Sequence, residues 1–120
     1  MPDDPTRTRD PVDLLDRVER LRSGAEGAHQ TILAELHKER AQSYARAVAK
    51  VDDAYRALRA ANAALDASPP AERWANLARY EEARARATYL RWELLVQREA
   101  LGFNQNEEFD RDYPVPPRRR

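Results

Sequence analysis

Two histidines, no cysteine and a few adjacent carboxylates are all that this 120-residue sequence offers to catalysis. Glu26-x-x-His29 has the i,i+3 spacing with which helices hold di-iron ligands, but such a site needs further carboxylates and a second pair of the same kind, and none is present. Gly24 and Gly27 on either side make a poor rigid support. His37 stands among Lys38, Glu39 and Arg40 and reads as a surface residue. Asp52-Asp53 and Glu81-Glu82 are neighbours, and neighbours on a helix diverge by about 100°, so neither pair can work as general acid and base on one substrate. No glycine-rich phosphate loop, nucleophile elbow or zinc spacing occurs. The expectation is a non-enzymatic protein with no catalytic residue, cofactor or metal.

The most specific short motif lies near the end, in "PVPPRRR". Pro114-x-x-Pro117-x-Arg119 has the spacing of polyproline ligands with a basic anchor, in which a preformed left-handed helix docks in an aromatic groove. Arg118, Arg119 and Arg120 also form a small anion-seeking cluster. Net charge is zero, from 21 basic and 21 acidic residues, so three arginines imply no nucleic-acid binding.

The elements that must carry these groups follow from periodicity. Hydrophobic residues make up 42% of the chain, but much of that is alanine, which favours helices meeting along narrow seams over a thick core. Glycine is scarce and proline sits at the two ends and one central point, a pattern of long helices and no sheet. The sequence predicts an arm over residues 1–9, a helical domain over 10–103 and a Pro/Arg-rich tail over 104–120. Asp10-Pro11 starts a first helix over about 11–23, with Leu14, Leu15, Val18 and Leu21 on one side. Gly24 and Gly27 then end or kink it.

A long helix follows over about 28–66, with a seam running Leu33, Leu36, Arg40, Tyr44, Val48, Val51, Tyr55, Leu58, Asn62, Leu65. Its wet side carries Asp52 and Arg56 as an expected i,i+4 pair. Ser68 and Pro69 stop it and start a second long helix over about 70–101, with Ser68 as its cap. So short a connection makes the two helices antiparallel. The second helix repeats Tyr80, Ala83, Ala87, Leu90, Leu94, Gln97 and Leu101 at alternating spacings of three and four, which is the facing seam. Gly102 is its left-handed stop, and Asn106 can open a single helical turn holding Phe109 and Tyr113. The expected fold is all-α: an antiparallel, coiled-coil-like helical hairpin with a short N-terminal helix, forming a thin three-helix bundle at its base.

A second stripe on the later helix holds Trp74, Leu77, Trp92 and Leu95. The two tryptophans are 18 residues apart, about five turns, and so share one side roughly 27 Å apart. Apolar surface of this size calls for a cover, from the first helix, the tail over 103–115 or a second copy of the chain, and the expected function is an interaction or assembly protein, self-associating as a dimer through this stripe. The alternative is a small regulator that docks onto larger transcription or secretion machinery, by its hairpin tip (flanked by Asp66 and Glu72) or its basic tail. With no apolar leader and no long apolar run, a cytoplasmic location without membrane contact is expected.

Overall fold

The computed structural model describes residues 11–120, and the expected arm over 1–9 lies outside them. Three α-helices occur, α1 (Pro11–Asp66), α2 (Arg73–Ala100) and α3 (Glu107–Asp112), with a 3-10 turn at Pro70–Glu72 and no strand among the described residues. The described residues divide into two units, with the boundary between Ala41 and Gln42.

The second unit is the hairpin. Val51, Ala54, Tyr55, Leu58, Ala61 and Leu65 of α1 are buried against Tyr80, Ala87, Leu90 and Leu94 of α2, with Phe109 of α3 completing the core. The small Ala54, Ala61 and Ala87 sit among the large side chains, so the helix axes can come close. Tyr44, Ala47, Val48, Leu77, Ala83, Leu95 and Tyr113 pack around it half-buried. The seam read from sequence therefore holds from Tyr44 to Leu65, while Leu33, Leu36 and Arg40 are exposed.

The turn is built differently from the expectation. Ser68 closes α1 instead of opening α2: its hydroxyl donates to the Ala64 carbonyl at 2.8 Å and accepts from the Asn76 amide at 2.7 Å. Two successive prolines cannot donate to a helix, so the chain takes the tight 3-10 turn first, and α2 begins three residues late at Arg73. The far end of α2 is as the sequence implies. Gly102 has φ +88°, and the amides of Gly102 and Phe103 close on the carbonyls of Glu99 and Arg98 at 3.0 and 2.9 Å. This is the paired closure of a Schellman stop, which only a residue without a Cβ adopts freely.

The first unit corrects the sequence reading. α1 runs unbroken through Gly24 and Gly27, so there is no separate helix over 11–23 and no three-helix base made from it. Residues 12–41 are exposed throughout. A helical glycine costs roughly 0.5–1 kcal/mol relative to alanine, too little to break a helix without a residue that reverses the chain. Both glycines keep φ below zero.

Candidate interaction site

The C-terminal segment is the third layer of the hairpin. After α3 it runs back along the groove between α1 and α2, without helix or strand, and its carbonyls are taken up in turn by side chains of both helices. On the α1 side Tyr55 donates to the Pro114 carbonyl at 2.7 Å, and Arg119 reaches the Asn62 side-chain oxygen and the Asp66 carboxylate, each at 2.6 Å. On the α2 side Arg91 Nε donates to the Tyr113 carbonyl at 2.7 Å and Arg84 Nε to Pro116 at 3.2 Å. The Tyr80 hydroxyl donates to the Pro117 carbonyl, and Arg73 reaches the Arg120 carbonyl at 2.6 Å. Segment numbers rise as α2 numbers fall, so the strap is antiparallel to α2. Within it Pro116 is buried.

These contacts have the pattern of polyproline recognition, within one chain. Tyrosine hydroxyls meet proline carbonyls, and an acidic residue meets the arginine two positions after the last proline. Of the residues assigned to partner docking, Pro114, Pro117, Arg119 and Arg120 are therefore engaged in the chain's own groove, and Arg118 is exposed.

Sequence reasoning missed the α2 arginines that hold the strap and the turn leading into it. Arg84, Arg91 and Arg98 are seven apart, two turns each, and so share one face of α2. Arg91 lies 5.0 Å from the Phe109 ring centroid while binding Asp110 at 2.6 Å. Arg98 sits over Phe103 and Phe109 at 5.0 and 5.1 Å and donates to Tyr44 and the Gln105 carbonyl, both at 3.1 Å. The heptad spacing of three arginines beside an apolar seam was the available signal. Asp52, expected to pair with Arg56, instead accepts from Tyr113 at 2.5 Å, and Arg56 turns to Asp53 at 2.8 Å. Burial pushes the Tyr113 phenol up, and the hydrogen bond to Asp52 and its charge push the same way. Burial also raises Tyr55, partly offset by Arg91.

The tryptophan stripe divides. Leu77 and Leu95 are half-buried on the core, whereas Trp74 is 81% and Trp92 58% exposed. The Trp92 ring lies tilted against that of Tyr89, ring centroids 6.2 Å apart. Glu81, Ala85 and Thr88 lie between the tryptophans and are exposed. A carboxylate, a methyl and a hydroxyl make no apolar bridge, so the two indoles are separate points and not one patch.

The longest apolar surface lies elsewhere, on α1. Leu14, Leu15, Val18, Leu21, Ile32, Leu33 and Leu36 are 41 to 75% exposed. At 100° per residue, all seven fall within about 60° of the Val18 direction, a single stripe. Glu26 flanks it at about 80°, whereas Arg22 and His29 fall inside it between Leu21 and Ile32, and no cluster of metal-ligating side chains is found among the described residues. No described helix is long and apolar enough to cross a membrane. No protein-family model, no curated protein and no solved structure matches the chain.

Proposed function

We propose that this chain is a non-enzymatic assembly protein, in which α1 supplies both one arm of a strapped hairpin and, over its exposed residues 12–41, a docking helix. One observation carries the reading: seven large aliphatic side chains on one stripe of α1 stand 41 to 75% exposed. A fully buried Leu, Ile or Val contributes about 1.5–3 kcal/mol, so covering seven that are roughly half exposed is worth on the order of 10 kcal/mol at most. A lone helix of this length with two internal glycines is marginal in water, and a partner along the stripe supplies what it lacks.

The assembling surface on this reading is α1, in preference to the Trp74/Leu77/Trp92/Leu95 side, half of which is turned into the core. Docking by the tail onto larger machinery is disfavoured because Arg119 and the proline carbonyls would first have to leave Asp66, Tyr55 and Tyr80.

Amide hydrogen exchange along the full chain tests the proposal. In dilute, monomeric chain the amides of 12–41 exchange fast while those of 51–65 are protected, and assembly slows the first set alone. If 12–41 were as protected as the core in a dilute monomer, the stripe would be covered by its own chain and the reading would fail.

A further inference from the structure

We infer that the occupant of the α1 stripe is a second copy of this chain, paired antiparallel about a two-fold axis beside Ala25; the inference rests on the assembly reading above. The stripe is two clusters, Leu14-Leu15-Val18 and Ile32-Leu33-Leu36, 18 residues apart, which is five whole turns and the same side of the helix. Between them Ala25 lies about 20° from the stripe's centre line, with Leu21, Arg22 and His29 also on this side, while Gly24 and Gly27 point away from it. Antiparallel pairing about Ala25 sets Leu14 level with the second copy's Leu36 and Val18 level with its Ile32. Each cluster thus meets the other, and the small Ala25 at the centre lets the axes approach there.

Charge decides the direction. Arg22 and Arg40 lie about 40° from the stripe's centre, so parallel pairing would set each against its own copy. Antiparallel pairing separates them. It also brings the edge that carries Arg17 and Glu35 against the same edge of the second copy, reversed, so that Arg17 meets Glu35 twice. On the other edge Glu26 comes near the second copy's Arg22.

The area is sufficient. Residues 11–41 form a rod of about 46 Å, and a helix is about 10–12 Å across, so the overlap covers on the order of 500 Å² per chain. Twice that reaches the roughly 1,000 Å² that a specific interface requires. The overlap ends where the second unit begins, at Gln42.

The test uses the full chain, which has no cysteine of its own. Sedimentation equilibrium from micromolar concentration upward should give twice 13.8 kDa. Val18→Asp, at a position 59% exposed and outside the core, should return a monomer with the hairpin's helical signal intact. Under mild oxidation Ala25→Cys should cross-link to itself, Leu14→Cys alone should not, and a mixture of Leu14→Cys and Leu36→Cys chains should. A monomer at every concentration overturns the homodimer. Fast exchange over 12–41 in that monomer leaves the docking reading standing, and slow exchange removes both. A dimer that survives Val18→Asp but not Trp74→Ala, or one in which Leu14→Cys joins itself as readily as Ala25→Cys, also overturns the inference.

Discussion

The Arg119 guanidinium lies 2.6 Å from the Asp66 carboxylate, joining the end of the strap to the end of α1 across 53 residues of sequence. The same side chain binds Asn62 at 2.6 Å and lies 5.8 Å from the centre of the Tyr80 ring. Three contacts on one planar fork make it the strap's anchor.

Replacing that anchor should loosen the strap. The ion pair is partly exposed and worth little alone, but the hydrogen bonds to Asn62 and the ring contact add to it, so Arg119→Ala should cost about 1–3 kcal/mol. At roughly 4 °C per kcal/mol, thermal melting would register it. Arg119→Lys should recover less than half, because an ammonium cannot hold Asp66 and Asn62 in one plane. An unchanged melting temperature in both variants would mean that the strap is not anchored there.

Alkaline pH should open the structure by way of Tyr113. Its folded phenol is held above the ordinary value of 10.0, first by burial and then by Asp52, and Tyr55 is raised as well. A group whose pKa is raised by folding contributes its full stability below the unfolded value and loses it as pH climbs through the folded one. Stability should thus be flat towards pH 10 and fall above it. Denaturant midpoints against pH should fall less steeply in Tyr113→Phe, and the late part of the tyrosinate absorbance titration should shrink in the same variant.

The three glycines should separate by sign. A Cβ added at Gly24, Gly27 or Gly102 meets no atom within 4 Å, so backbone conformation alone decides. Gly24→Ala and Gly27→Ala should each raise α1 helicity and stability by about 0.5–1 kcal/mol. Gly102→Ala, forced to φ +88°, should lose about 1–2 kcal/mol. Circular dichroism melts of the three variants give the comparison, and a destabilised Gly24→Ala would show that α1 needs a bare backbone at that point.

Both tryptophans should report water. Trp74 and Trp92 are 81% and 58% exposed, so emission should be red-shifted and readily quenched by acrylamide, and Trp74→Ala should change stability by less than about 0.5 kcal/mol. Blue emission that reddens on dilution would instead place a sister chain over this face.

What the sequence determined by itself is which face each helix turns inward and where the hairpin bends and stops. The aliphatic spacing from Tyr44 to Leu65 and from Tyr80 to Leu94, the double proline after Ser68 and the left-handed Gly102 specify two antiparallel helices, because periodicity selects a face and proline and glycine select where it ends. The first unit escaped this reading at Gly24 and Gly27, where two weak helix formers resembled a break although nothing beside them turns the chain. Only the tertiary structure decided the course of the strap. A Pro-rich segment has no period to read, and its position rests on hydrogen bonds to residues such as Tyr55, 59 positions away, and Tyr80, 37 away. The same cause hid Arg84 and Arg91 as its holders, and Arg98 as the holder of the turn before it: in the sequence they are charges beside a seam, and their partners come from segments that return to lie beside them.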